Sequence, residues 1–314
     1  MSPRDRLLAA LVAVLWGCNF LAIHATLGHF PPLFAAGLRF GIIAVPTILF
    51  VPWPKVKLRW LIGYGLGFGT GQFALLFIAM NTGMPTGLAS LVLQASAPFT
   101  VLLGAVFLRE RVSGRQLAGI TLAVAGMAVI AWQRAAHAAL LPVILTLLAA
   151  LSWAFGNLCS RQAAPSNPLH FTLWMSVVPP LPMFALSVIA EGPDAQWKSL
   201  TTLNSPSGWT AIIGLVYIVV PATIVGSGIW TTLMSRNPAG VVAPFSLLVP
   251  VVGMSLAFLV LRERPTLLET LAAAVVIGGV LLGSLKRRSS ARRRPELPLP
   301  RPRRGGSFAS WRPG

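Results

Sequence analysis

Ten apolar stretches punctuate the chain, at residues 7–23, 33–51, 61–80, 87–108, 117–132, 140–159, 171–190, 209–230, 241–261 and 267–285. A helix rises 1.5 Å per residue and the hydrocarbon core of a bilayer is about 30 Å thick, so runs of roughly 20 residues predict spanning helices. The fifth run is the shortest and weakest. Arg4 and Arg6 precede the first run as they would in a signal peptide. No small-x-small cleavage site closes it, so it is read as an uncleaved first span.

The polar punctuation repeats. Leu-Arg-Glu-Arg closes an apolar run at 108–111 and again at 261–264, and the same shift of 153 places Pro85 on Pro238 and Gly87 on Gly240. Trp16 meets Trp153 at a shift of 137, so an insertion of 16 residues is expected in the second half, in the polar loop 191–208. The chain therefore reads as two copies of a five-span unit. Five is odd, so the second copy enters the bilayer from the opposite side. The predicted fold is an all-α integral membrane protein whose ten transmembrane helices form two inverted-topology five-helix repeats, over residues 1–134 and 135–285. Such halves allow two near-equivalent states around a site at the midplane, which is a transporter's geometry. The two charged clusters either cap and anchor helix ends or form an ion-pair gate at each mouth.

Composition agrees with this reading. Of 314 residues, 55% are hydrophobic and only 10% charged, too few charges to cover a soluble globule. With the N-terminus inside, 20 of the 25 Lys and Arg fall on cytoplasmic segments, so both termini are expected to be cytoplasmic. Ten of them lie in the last 29 residues, a tail at 286–314 whose Arg, Pro and Ser content predicts disorder and contact with lipid headgroups, with no nucleic-acid role. Cys18 and Cys159 sit inside apolar runs and signal neither a disulfide nor a metal.

Polar residues inside spans are costly unless they face other helices or water, which makes them site candidates. Asn19, Gln72, Gln94, Ser96, Asn157, Thr223, Ser227 and Ser246 form this set. Asn19 and Asn157 follow the repeat-related Trp16 and Trp153 by three and four residues, close to one helical face. Arg39 lies about six residues inside its run, where it either snorkels outward or faces a cavity and meets a substrate carboxylate. Glu269 is expected to cap its helix or pair with Arg262 or Arg264. Gly63, Gly67 and Gly71 form one small-residue stripe and Gly65 and Gly69 another, so two neighbours should approach the third span closely. Gly279 and Gly283 offer a contact stripe on the tenth. Pro46, Pro98, Pro179, Pro180, Pro182, Pro221 and Pro250 predict kinks.

Enzyme signatures are missing: His24 and His29 share no helix face, and neither a zinc-protease helix nor a nucleotide-binding G-x-x-x-x-G-K-[ST] occurs, so no cofactor is expected. The titratable groups His24, Glu110, Glu263 and Glu269 all lie near span ends, leaving proton coupling and facilitated efflux both open.

Particular stretches carry a resemblance: WGCNF (16–20), PPLFAAGLRF (31–40), PTGLASLVLQASAPFTVLLGA (85–105), RQLAGI (115–120), SWAFGN (152–157), ATIVGSGIW (222–230) and APFSLLVPVVG (243–253). Over residues 2–285 the chain resembles the EamA-type drug/metabolite transporters, and within them the bacterial exporters of cysteine and O-acetylserine. The resemblance implies a basket-like bundle with a cavity lined mostly by spans 1, 3, 4, 6, 8 and 9, and export from the cytoplasm across the bacterial inner membrane. Matching positions are Trp16, Asn19, Gln72, Gln94, Trp153, Asn157, Thr223, Trp230 and Ser246; with Arg39 they are the expected substrate contacts. The expected partners are a small-molecule substrate and the lipid bilayer. A broad exporter of apolar drugs is the alternative, followed by a lipid scramblase or a membrane scaffold.

Overall fold

The computed structural model describes residues 1–135, 140–237 and 239–284. Pro238 and the basic tail at 286–314 lie outside them. Among the described residues no strand forms. Nine helices there are long and apolar enough to cross a bilayer: α1 (Pro3–Leu27), α2 (Pro32–Phe50), α3 (Leu58–Asn81), α4 (Thr86–Leu108), α5 (Gly114–Gln133), α6 (Leu140–Ala163), α7 (Pro168–Ala190), α8 (Pro206–Arg236) and α9 (Pro244–Leu261). A tenth, α10 (Leu267–Gly283), is shorter. The fifth apolar run, the shortest in the sequence, lies within a helix of 20 residues that extends beyond it at both ends, and its mean hydropathy of 1.5 is the lowest of the nine, shared with α3. Crossing directions alternate, so the N-terminus marks a near face, and the far face is reached at the end of α1.

Proline and capping set the helix starts. Pro occupies the first turn of α1, α2, α7 and α8, where its missing N–H breaks no helical bond. The Ser2, Asn167 and Ser205 side chains accept from first-turn amides of α1, α7 and α8. Two 3₁₀ segments precede proline: Leu93–Ala95 before Pro98, and Ala243–Leu247 before Pro250. At Pro179 and Pro180 α7 breaks outright between Pro168–Met175 and Pro180–Ala190.

Features 153 residues apart coincide. Gly65–Gly71 in α3 and Ile218–Val225 in α8 both wind as π-helix. Within them Thr70 Oγ1 donates to the carbonyl of Gly65 at 3.3 Å, and Thr223 Oγ1 to that of Ile218 at 2.7 Å. Each cluster turns its chain the same way: Arg109 and Arg262 adopt left-handed backbone (φ 52° and 55°), and the Glu110 and Glu263 amides reach back to Gly104 and Ala257. The expected insertion carries a short helix, Pro193–Thr201, at the far face, with Trp197 exposed.

Both glycine stripes of α3 are packed. A Cβ on Gly67 would stand 2.8 Å from the backbone N of Gly156 in α6, and one on Gly63 would meet Cys159 at 2.6 Å. Gly65 and Gly69 face Val178 and Pro179 of α7. The stripe on α10 also turns inward: a Cβ on Gly119 of α5 would lie 2.6 Å from the amide of Gly283, so these glycines serve a contact within the chain. Glu269 caps α10, its carboxylate accepting from the Thr266 amide at 2.9 Å. Large side chains such as Leu49, Phe50, Leu181 and Ile189 are exposed around the outside, as a lipid-facing belt requires.

Gly156→Val is expected to lower stability by about 1–3 kcal/mol, because the new side chain would press on the backbone of Phe68. Gly278→Ala, with nothing within 4 Å of its Cβ, should be neutral or mildly stabilising. Thermal unfolding of both variants in detergent checks the contrast.

Candidate functional site

A cavity of about 620 Å³ occupies the centre of the bundle. At its near end it is lined by Ser160 in the last turn of α6, Pro165 just after that helix, and Met234 and Ser235 at the end of α8, all close to the near face. From there it runs inward to Asn19, Arg39, Gln72 and Ser90. Arg39 is seven residues past Pro32, roughly 10 Å along α2 from the far face. The cavity therefore opens at the near face and ends blind beneath the far one. All ten residues expected as contacts line it. α2 and α7 also contribute, through Arg39, Phe40, Phe171 and Met175, so the wall is wider than the six spans expected.

Arg39 does not snorkel; it is 5% exposed. Its Nη2 donates to Thr223 Oγ1 at 3.0 Å, and its guanidinium carbon lies 3.8 Å from the ring centroid of Phe73 and 5.3 Å from that of Phe40. Nε and Nη1 are buried and have no hydrogen-bond partner among the described residues. Cation–π contacts contribute about 0.5–2 kcal/mol and one hydrogen bond about 1 kcal/mol, whereas taking a lone cation out of water costs several. The site is thus electrostatically incomplete and suited to an anionic group. Asn19 Oδ1 and Gln72 Oε1 are buried and similarly without partners, two acceptors on residues that line the same cavity as Arg39.

The π turns explain how this wall is held. A π turn displaces carbonyls from the regular ladder, and in a bilayer these need partners. Trp16 Nε1 donates to the carbonyl of Ala222 at 2.9 Å, and Ser152 Oγ to that of Gly67 at 2.8 Å. Trp16 packs on Trp230 with centroids 5.2 Å apart, and Trp153 on Phe68 at 5.7 Å. Thr223, the π-turn threonine of α8, turns its oxygen to Arg39 while its own proton goes to Ile218. The remaining amides tie helices: Gln94 Nε2 donates to the Ser246 carbonyl at 3.3 Å, where the 3₁₀ segments of α4 and α9 meet, and Asn157 Nδ2 to Thr100 Oγ1 at 3.1 Å.

Sequence reasoning missed the aromatic lining, including Phe40, Tyr64, Phe68 and Phe73. The one available signal was the glycine pattern of GYGLGFGTGQF, which leaves Tyr64, Phe68 and Gln72 at four-residue spacing on one face.

Residues 6–132 and 140–285 each match the model of the EamA-like transporter family. A probable amino-acid metabolite efflux pump of Escherichia coli K12 is 46% identical over 288 residues, covering 90% of this chain and 95% of its own length. A protein of the same description from Salmonella typhimurium LT2 is 44% identical over the same shares. A solved crystal structure, 21% identical, superposes with a TM-score of 0.59 over 90% of this chain and 98% of its own, a likeness of fold.

Thr223→Val removes the hydroxyl that Arg39 holds and is expected to destabilise the protein by about 1–3 kcal/mol. The repeat-related Thr70→Val breaks only a bond to its own helix and should cost less. Melting temperatures of the two variants, measured side by side in detergent, give the comparison.

Proposed function

Because the chain belongs to the EamA-like transporter family, and is a multi-pass membrane transporter and not an enzyme, we propose that its cavity carries small amino acids or their derivatives, such as cysteine and O-acetylserine, out of the cytoplasm. The substrate enters at the near face, taken as cytoplasmic, of a bacterial inner membrane, with both termini on that side. It leaves when the halves 1–134 and 135–285 rock to open the far face. The description of the Escherichia coli and Salmonella relatives as probable amino-acid metabolite efflux pumps supports this reading.

One observation carries it: a buried guanidinium with two unpartnered nitrogens near the blind end of the cavity. In the proposed complex Arg39 takes the substrate carboxylate, while Asn19 Oδ1 and Gln72 Oε1 accept from its ammonium group. Trp16, Trp153 and Trp230 supply flat walls for the side chain, and Gln94, Asn157, Thr223 and Ser246 complete the ring of contacts. The aromatic lining favours a second reading, export of apolar drugs, but such a cargo would leave the guanidinium unpaired.

Purified protein in proteoliposomes should show saturable flux of labelled O-acetylserine. The free acid should compete at least roughly tenfold better than its methyl ester, because only the acid offers Arg39 a charged partner. Equal competition by acid and ester would remove Arg39 from recognition, and flux of neither compound above protein-free vesicles would turn the assignment toward drugs.

A further inference from the structure

The two repeat-related glutamates occupy different positions. Glu263 follows α9 at the far face, and its carboxylate crosses to the other half: Oε1 accepts from the Thr86 amide at 2.8 Å and Oε2 from the Gly87 amide at 3.0 Å. Those amides open α4, whose N-cap, Pro85, makes no side-chain capping bond. The first turn of a helix leaves its N–H groups without intrahelical partners and carries a partial positive charge, so a carboxylate from another segment is well placed there. Glu263 thereby fastens the end of α9 to the start of α4 and closes the seam above the cavity. A separate crevice of about 230 Å³, lined by Leu88, Met254 and Glu263, penetrates that seam.

The mate of Glu263 at the near face is Glu110, after α4, on a backbone turn of the same shape. Adding 153 to Thr86 and Gly87 gives Ala239 and Gly240, the start of the helical turn Ala239–Val242 that leads into α9. Here the carboxylate is held instead by the guanidinium of Arg161, at the end of α6. Both side chains of that pair are about half exposed, 48% for Arg161 and 45% for Glu110, a setting in which ion pairs are weak. The cavity opens at this same face. One glutamate is fastened where the bundle is closed, and its mate sits aside where the bundle is open.

We propose that Glu110 and Glu263 are alternating latches of the transport cycle. In the state described here Glu263 caps α4 and seals the far face. In the opposite state Glu263 releases Thr86 and Gly87, and Glu110 leaves Arg161 to cap the Ala239–Val242 turn, sealing the near face. Glu191 differs from both. It holds the Leu33 and Phe34 amides at 2.6 and 3.1 Å and also receives Ser187 Oγ at 2.6 Å, fixing α7 to α2. The residue that closes α2 is Val51, so this tie lacks a carboxylate counterpart in the first half and keeps its partners together in both states. The inference rests on the transporter reading for its purpose, but on no particular substrate.

The test reads conformation without flux. In a protein with Cys18 and Cys159 replaced by Ser, single cysteines report the far seam (Leu88→Cys) and the near mouth (Ser160→Cys) through their rates of alkylation by a soluble maleimide in detergent. Glu263→Gln should raise the Leu88→Cys rate on the order of tenfold and lower the Ser160→Cys rate, since a charged hydrogen-bonded cap is lost from one state only. Glu110→Gln should shift both rates the opposite way. Arg161→Gln, which removes only the resting pair, should not reproduce the Glu110→Gln pattern. Unchanged rates, shifts of one sign in both glutamate variants, an Arg161→Gln pattern matching Glu110→Gln, or a rise at both reporters would each overturn the latches, the last by marking Glu263 as a support of the fold. Opposed shifts without O-acetylserine flux would keep the latches and remove the substrate assignment; flux with shifts of one sign would do the reverse.

Discussion

A backbone amide or carbonyl inside a bilayer has no water to turn to, and this constraint governs where the chain can depart from the regular α-helix. The departures at Gly65–Gly71, Leu93–Ala95, Ile218–Val225 and Ala243–Leu247 all adjoin the central cavity. Each displaced carbonyl described above finds a donor on a neighbouring helix: Trp16 for Ala222, Ser152 for Gly67, Gln94 for Ser246. The donors then have two duties, since Trp16 and Gln94 line the cavity as well. A wall built this way is shaped by its hydrogen bonds before any cargo arrives.

Two of the helix crossings are built on glycine. Glycine meets glycine between α3 and α6 and between α5 and α10, so backbones touch there, while bulky side chains such as Phe77, Leu91 and Ile130 fill the core elsewhere. Lipid tails are as apolar as leucine and give helices no hydrophobic reason to associate, which leaves close packing and polar ties to hold the bundle. The polar ties are unevenly distributed: two carboxylates cap helices across the far face, whereas the near face shows an exposed ion pair and the Asn237–Asp5 contact. This imbalance matches a cavity that opens on one side.

Much of this arrangement was legible in the residues. Span length follows from bilayer thickness, and the paired Leu-Arg-Glu-Arg clusters disclosed the doubling. Polar side chains in long apolar runs had to point inward, which is why Asn19, Gln72, Asn157 and Thr223 share a cavity. The depth of Arg39 left snorkelling open, and only its neighbours Thr223 and Phe73, from other helices, decide against it. Phe68 and Phe73 were indistinguishable from lipid-facing rings, because an aromatic side chain in an apolar run suits either side. Nor did local pattern indicate that Glu263 caps a helix 177 residues away, since the cap exists only once both halves are packed.

The matched π turns also separate what the two halves share from what they do not. A π turn holds one residue more than the α turn it replaces, and here the surplus stands at corresponding places in both halves, with a threonine bonded five residues back in each. Both halves thus place a widened turn beside the cavity. The buried arginine stands in only one of them, so among the described residues the charge at the cavity comes from the first half alone, while its frame comes from both.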